Sequence, residues 1–151
     1  MTNLPNGKPI LCIDFDGVIH SYTSGWKGAT CIPDHPVKGA FEFLEESMEH
    51  FEINIYSSRS RYFLGKRAIK KWLRINLYHY FLNKNPMFIE PCPFSEDESQ
   101  ADILAKLFIN ELKFPTRKPA AFLQIDDRAI TFNGKWPSIE EIKSFKPWYK
   151  K

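Results

Sequence analysis

Three short apolar runs, each ending in polar side chains that can bind ligands, place the strongest constraint on the fold. The runs cover residues 9–15, 51–56 and 120–125, and they end at an aspartate pair spaced by one residue, at two serines and at two adjacent aspartates, respectively. The first run is continuously apolar over residues 10–13, as expected of a strand that is covered on both faces, and the other two runs also predict short strands. Segments between them carry apolar residues at three- and four-residue spacing, which is typical of amphipathic helices. The alternation predicts an α/β fold with a mostly parallel sheet and helices on both faces.

The remaining elements follow from periodicity and from helix caps. Helices are predicted over residues 39–50, 62–81, 95–112 and 138–145, the third beginning at Ser95 and the fourth capped by Ser138. Two further short strands are predicted at 87–90 and 130–132. Residues 18–36 are rich in Ser, Gly, Thr and Pro, and they predict a loop or small hairpin that we call the flap. No linker divides the 151 residues, so we expect one domain over 1–151.

Composition restricts the class of protein. The chain is 43% hydrophobic and 26% charged, and no apolar run approaches the roughly 18 residues of a membrane span. The first residues lack the order of a signal peptide. Cys12, Cys31 and Cys92 are widely separated and form no Cys-x-x-Cys pair, which suits free thiols in a reducing compartment. We therefore expect a cytoplasmic protein that does not enter a membrane.

The carboxylates that follow the first and third runs suit phosphate chemistry. Side chains alternate along a strand, so Asp14 and Asp16 point the same way if the strand continues. One of them could attack phosphorus while the other protonates the leaving oxygen. A Mg²⁺ ion would need more oxygen ligands than Asp14 supplies, and Asp126 and Asp127 are the obvious additional donors.

Groups that could contact a phosphate are present at the other motifs. Phosphate contacts are predicted at Gly17, Ser57, Ser58 and Arg59. Lys118 could offset charge during transfer, with Lys113 as the alternative lysine. Each motif alone could instead be a capping or turn device. Their joint occurrence at strand ends favours an active site.

The order of these motifs resembles a known family. Asp-Phe-Asp-Gly-Val, then an apolar residue with Ser, then Lys, then an apolar residue with Asp-Asp resembles the four motifs of the haloacid dehalogenase (HAD) superfamily, in its Mg²⁺-dependent phosphatase branch. The resemblance covers about residues 9–134. It implies a Rossmann-like three-layer sandwich and phosphomonoester hydrolysis. The short flap implies a member without a large cap domain, whose open site suits bulky phosphates.

The resemblance also implies a role for each motif residue. Asp14 would be the nucleophile that forms an aspartyl-phosphate, and Asp16 the general acid and later the base. Lys118 would stabilise Asp14 and the phosphoryl group, while Ser57 would contact phosphate. The metal ligands would be Asp14, the backbone carbonyl of Asp16, Asp126 and Asp127.

The partner is expected to be a phosphorylated substrate, either a small molecule or a nucleic-acid end. No acidic residue occurs over 53–89, where eight basic residues fall. Lys66, Lys70 and Arg74 repeat every four residues, and we interpret them as a solvated helix face rather than a nucleic-acid track. The tripeptide at 126–128 (Asp-Asp-Arg) also resembles the phosphatase half of polynucleotide end-repair enzymes.

Two other functions stay open, and so do the flap contacts. His20, Tyr22 and Trp26 in the flap could contact substrate or could pack within the flap. The chain could be a non-catalytic phosphate- or nucleic-acid-binding protein that retains the fold. It could also be a phosphotransferase that passes the phosphoryl group to an acceptor other than water.

Overall fold

A computed structural model describes residues 7–88 and 99–150 of the chain. Its sheet has three parallel strands in the order β2-β1-β3, with β1 at Ile10–Ile13, β2 at Glu52–Ile55 and β3 at Leu123–Ile125. Ile13, at the end of β1, lies opposite Ile55 of β2 and Ile125 of β3. The carboxyl ends of all three strands therefore meet at one edge. The predicted α/β fold with a parallel sheet is confirmed.

Four α-helices accompany the strands within the described residues. They are α1 (Ala40–His50), α2 (Phe63–Lys84), α3 (Gln100–Glu111) and α4 (Ile139–Ser144). Short 3₁₀ helices occupy Ser58–Arg61 and Trp148–Lys150. Each α-helix falls on a predicted helix. No helix in residues 7–88 and 99–150 is long and apolar enough to cross a membrane.

Several predicted boundaries need correction. Helix α3 begins after Ser99, whose hydroxyl accepts a hydrogen bond from the Asp102 backbone N–H at 3.2 Å. The predicted cap, Ser95, lies outside the described residues. Residues 130–132 form no strand, and Ile130 and Phe132 are more than half exposed. This run of three residues pairs with no strand of the sheet. Residues 87 and 88 are not in a strand, and 89–90 lie outside the described part.

The hydrophobic core takes alternate residues from two strands. Leu11 and Ile13 of β1 and Ile53 and Ile55 of β2 share one face of the sheet and are almost completely buried. Helices α1, α2 and α3 contribute Phe41, Leu44, Ile69, Trp72, Leu73, Leu77, Phe81, Ala101, Ala105 and Phe108 to the same cluster. Full burial of one such large side chain stabilises a fold by about 1.5–3 kcal/mol. Helix α4 contributes no buried residue. The core thus rigidly supports β1 and β2, which carry two of the motifs.

The flap is a loop whose two ends are joined. The Val37 N–H donates to the Ile19 carbonyl at 2.8 Å, and the Ser21 N–H donates to the His35 carbonyl at 3.0 Å. These bonds bring the end of the flap, just before α1, back to the beginning of the flap. The flap therefore begins beside the first motif and stays close to it.

Candidate active site

A cavity of about 280 Å³ lies at the edge where the three strands end. Its lining residues are Asp14, Asp16, Tyr22, Tyr56, Ser57, Ser58, Gln124, Asp126, Asp127 and Arg128. All four predicted carboxylates and both predicted serines are among them. The rule that parallel sheets bind ligands at the carboxyl ends of their strands places a site at this edge.

Three carboxylates form a cluster that fits a hard divalent cation. Asp14, Asp126 and Asp127 each offer one oxygen, and these oxygens lie within 4.8 Å of one another. The side chain of Asp127 is 1% exposed, and neither of its oxygens accepts a hydrogen bond. Apart from an ion pair with Arg128, this buried carboxylate lacks a hydrogen bond, and coordination of a cation would offset the cost of its burial. Carboxylate oxygens suit Mg²⁺, Ca²⁺ or Mn²⁺.

Asp14 is held at the centre of this negative charge. Its backbone N–H donates to the Ile125 carbonyl at 2.9 Å, which fixes it beside β3. Burial, opposed by a hydrogen bond from the Phe15 N–H (2.8 Å) and reinforced by the charges of Asp126, Asp127 and Asp16, raises the pKa of its carboxyl to about 7. A bound cation would oppose the same repulsion and favour the ionised, nucleophilic form.

Asp16 lies apart from the cluster in a buried hydrogen-bond network. Its Oδ2 accepts a hydrogen bond from Arg59 Nε at 2.8 Å, and its Oδ1 lies 2.9 Å from His20 Nδ1. The Asp34 backbone N–H donates to His20 Nε2 at 3.1 Å, so Nδ1 carries the proton and donates to Asp16. Burial raises the pKa of Asp16, but the bonds from His20 and Arg59 outweigh it and hold that pKa below its usual value. In this geometry Asp16 is an ionised carboxylate and not a proton donor.

Arg59, where the sequence predicts a phosphate contact, has a completely buried side chain. Besides the bond to Asp16, Nη1 donates to three flap carbonyls, those of Gly28 (2.6 Å), Ala29 (3.1 Å) and Cys31 (3.1 Å). The ring of Trp26 covers the guanidinium at 4.6 Å. Arg59 joins the flap to Asp16 and does not line the cavity. Contact between Arg59 and phosphate stays a prediction.

Ser57 and Ser58 lie where the sequence predicts. Ser57 follows β2 and caps the 3₁₀ helix Ser58–Arg61, with its Oγ accepting a hydrogen bond from the Arg59 N–H at 3.2 Å. The Ser57 N–H in turn donates to Ser60 Oγ at 3.3 Å. The cap fixes the turn that presents both serines to the cavity.

Gly17 adopts a conformation that only glycine takes readily, with φ at +88°. A Cβ atom at this position would lie 2.6 Å from Asp127 Oδ2 and 2.9 Å from Tyr149 Cε1. The backbone after Asp16 therefore touches the Asp127 carboxylate directly, which accounts for the glycine without any contact to substrate.

Neither candidate lysine lines the cavity. Lys118 is exposed, and its role in the site stays a prediction. The backbone of Lys113 extends the sheet beyond β2, donating to Ile53 O at 2.9 Å and accepting from Ile55 N at 2.8 Å. Its side chain lines a separate cavity with Lys8 and Glu52, at the amino end of β2.

The structure adds residues that the sequence analysis did not assign to the site. Arg128 lines the cavity with Nε 3.4 Å from Asp127 Oδ2, and its Nη2 donates to Tyr149 Oη at 2.8 Å. Trp148 Nε1 donates to the Gly17 carbonyl at 2.7 Å, across 131 residues of sequence. Arg128 could have been found from the sequence because it directly follows the aspartate pair, whereas no local pattern marks Trp148 or Tyr149.

The three flap candidates separate in the structure. Tyr22 lines the cavity, with φ at +58°. His20 is completely buried, and Trp26 is 47% exposed over Arg59. Packing within the flap therefore describes His20, while Tyr22 can reach a ligand.

Comparison with known proteins gives no relative. No family model matches the chain, and no curated protein or solved structure shows significant similarity to it.

Proposed function

We propose that the chain is a Mg²⁺-dependent phosphomonoester hydrolase of the HAD type that acts through an aspartyl-phosphate on Asp14. The observation that carries the proposal is the cluster of Asp14, Asp126 and Asp127 at the carboxyl edge of a parallel sheet, in which the buried Asp127 accepts no hydrogen bond. The proposal includes the finer fold, a Rossmann-like three-layer sandwich without a large cap domain.

The residues divide the work of the reaction. A cation held by Asp14, Asp126 and Asp127 would supply positive charge to the phosphoryl oxygens. The Asp14 carboxylate forms a bond to phosphorus as the bond to the leaving oxygen breaks, and the leaving oxygen takes up a proton. Water then attacks phosphorus and releases inorganic phosphate and free Asp14. Ser57 and Ser58 lie in the cavity, where their hydroxyls can donate to phosphoryl oxygens.

Asp16 is the proposed proton donor, and its contacts set a condition on that role. In the described geometry it accepts hydrogen bonds from Arg59 and His20. To protonate a leaving group it must first take up a proton and release at least one of these partners. The proposal therefore requires a rearrangement of the flap, which carries His20 and the three carbonyls bound to Arg59.

The test is phosphate release with Mg²⁺ and with chelator from small esters, nucleotides and end-phosphorylated oligonucleotides. Asp14→Asn keeps the shape of the side chain and removes the nucleophile, and Glu46→Gln, an exposed position on α1, is the matched control. Mg²⁺-dependent release that is lost in Asp14→Asn alone supports the proposal. Release that persists in Asp14→Asn contradicts the aspartyl-phosphate.

A non-catalytic phosphate-binding protein is the second candidate, and the engagement of Asp16 favours it. A binding protein does not need a free acid, and here the acid is occupied by Arg59 and His20. Calorimetry with inorganic phosphate and Mg²⁺ decides between the two. Saturable binding without turnover of any substrate in the panel would support the binding protein.

A further inference from the structure

We propose that Arg128 is the catalytic cation of this site, contacting the phosphoryl oxygens of the substrate, and that Tyr149 is its positioning residue. The inference rests on the proposed function and deepens it, because it assigns the positive charge that phosphoryl transfer requires. It starts from the placement of the cations: Arg128 lines the cavity, whereas Lys118 and Lys113 do not.

Arg128 is attached to the carboxylate cluster by its backbone and its side chain. Its backbone N–H donates to Asp126 Oδ1 at 2.9 Å, which closes a tight turn after β3. Its Nε lies 3.4 Å from Asp127 Oδ2. The guanidinium therefore borders the cavity beside Asp127, whose carboxylate lies in the same cluster as that of Asp14.

The guanidinium keeps donors for a ligand. It carries five N–H donors in a planar fork, and Nη2 uses one of them on Tyr149 Oη. Beyond Tyr149 and the longer contact to Asp127, it makes no hydrogen bond to another side chain in residues 7–88 and 99–150. The side chain is 54% exposed, so an incoming phosphate can reach it. Arginine forks bind phosphate oxygens with two parallel bonds.

Two aromatic residues restrict where the guanidinium can lie. Tyr149 accepts the bond from Nη2, and the ring of Tyr22 lies 5.6 Å from the Arg128 Cζ atom. The two tyrosine rings contact each other edge to face at 5.8 Å. Trp148, next to Tyr149, donates to the Gly17 carbonyl at 2.7 Å. The 3₁₀ helix Trp148–Lys150 thus orients Arg128 and touches the loop after Asp16 at the same time.

The alternative is that Arg128 only neutralises Asp127. In that case, removal of Arg128 should lower the selectivity of the carboxylate cluster among metal ions and change its metal affinity, but it should have no direct effect on phosphate binding. If Arg128 contacts phosphate directly, the expected result is the opposite. Removal of Arg128 then weakens phosphate binding and lowers kcat while the three carboxylates still bind metal.

The experiment compares Arg128→Gln, Tyr149→Phe and the double variant with wild type. Arg117→Gln, an exposed arginine that does not line the cavity, is the control. We expect Arg128→Gln to lower kcat/KM by about 100-fold or more, the effect of removing one positioned transition-state donor. Tyr149→Phe should lower kcat by about 5–10-fold, and it should add little to Arg128→Gln because it acts through that residue.

Two binding measurements accompany the kinetics. Inorganic phosphate, titrated in the presence of Mg²⁺, should bind Arg128→Gln at least about tenfold more weakly, a loss of one charge-assisted contact. Mn²⁺, titrated alone, should bind with unchanged or greater affinity. Arg117→Gln should match wild type in every measurement.

The outcomes separate this inference from the proposed function. If wild type releases no phosphate, the hydrolase is contradicted, yet loss of phosphate binding in Arg128→Gln would still support the contact. If wild type is active and Arg128→Gln stays within threefold of it in kcat/KM and phosphate affinity, Arg128 is not the cation. A greater loss in Lys118→Ala than in Arg128→Gln would overturn the inference in the same way, as would loss of Mn²⁺ binding that accounts for the loss of activity.

Discussion

Burial, together with repulsion from the neighbouring carboxylates, makes ionisation of Asp14 costly in the absence of a cation. The pKa of Asp14 is raised to about 7, first by burial and then by its acidic neighbours. Its usual value is 3.8. At a pH between these two pKa values, Asp14 therefore keeps its proton in the folded state but has already lost it in the unfolded state. Without metal, stability falls as pH rises from about 4 to about 7 and then levels off.

Asp14→Asn should therefore stabilise the metal-free protein, and more so at high pH. At pH 8 we expect a gain of about 1–3 kcal/mol in the free energy of unfolding, and a clearly smaller gain at pH 5. Denaturant unfolding in chelator at the two pH values measures it, with the exposed Glu46→Gln as control. Equal gains at pH 5 and pH 8 would contradict the raised pKa.

Gly17→Ala tests the close approach of the backbone to Asp127. Gly17 and Gly134 have similar φ angles, +88° and +96°, but only the Cβ at position 17 would meet neighbouring atoms within 4 Å. Gly17→Ala should therefore cost about 1–3 kcal/mol more stability than Gly134→Ala, since the conformational penalty is shared and the steric one is not. Thermal unfolding of the two variants makes the comparison. Equal losses would show that the φ angle alone requires glycine at position 17.

At the scale of elements, the 3₁₀ helix Ser58–Arg61 connects the second strand to the flap. Gly65, near the start of α2, allows this connection, because a Cβ there would lie within contact of the Arg59 carbonyl. Arg59 in turn reaches back to Asp16 and to three flap carbonyls. One buried side chain thus holds together the first motif, the second motif and the flap.

Arg59→Met should destabilise the protein and loosen the flap. Removing one partner of a buried ion pair leaves Asp16 buried with less compensation, at a cost of about 3–5 kcal/mol. Amide exchange in residues 18–36 should rise more than exchange in the core strands. Arg61→Met, an exposed neighbour, is the control. Unchanged flap exchange in Arg59→Met would show that other contacts hold the flap.

Most elements could be predicted from periodicity, whereas the links between them could not. The strands and α1 were predictable because apolar runs and an amphipathic stripe encode them locally. Burial of Arg59 depends on carbonyls from residues 28–31, which come together only in the folded chain. The cap of α3 shows the limit of local reading, since Ser95 and Ser99 both precede a plausible helix and Ser99 caps it.

Across the whole molecule, three of the six basic residues of α2 are engaged by other side chains. Arg74 binds Asp102 through two bonds of 2.7 and 2.6 Å, and Lys84 contacts Glu45 at 2.6 Å. Lys70 lies over the ring of Phe114 at 4.9 Å. These contacts favour a solvated helix face over a continuous surface that follows a nucleic-acid backbone.

Activity on an end-phosphorylated single-stranded oligonucleotide should therefore depend weakly on salt. A track of Lys66, Lys70 and Arg74 would release about three counterions, with a slope near −2 for log kcat/KM against log salt, while contact at the terminal phosphate alone predicts a slope near −1 or shallower. Measurements from 50 to 200 mM salt distinguish the two. A slope near −2 that Lys66→Gln reduces would contradict the solvated face.

The side chains of the candidate site whose position topology determines could be predicted from the sequence, and the others could not. The carboxylates and Ser57 were found because they follow strands, and parallel strands end at one edge. The cation that we propose was not, because its place depends on which side chains line the cavity. Lys118 does not line it, whereas Arg128 lines it and donates a hydrogen bond to Tyr149.

The bond from Trp148 to Gly17 joins two parts of the chain that are synthesised at different times. A ribosome completes the loop at Gly17 early and adds Trp148 131 residues later. A nascent chain that has just passed Arg128 carries every carboxylate of the cluster, yet its arginine has no tyrosine to hold it and its glycine loop has no indole donor. The contacts that orient Arg128 and bind the Gly17 carbonyl can therefore form only once residues 148 and 149 have been added, after every residue of the three strands has been synthesised.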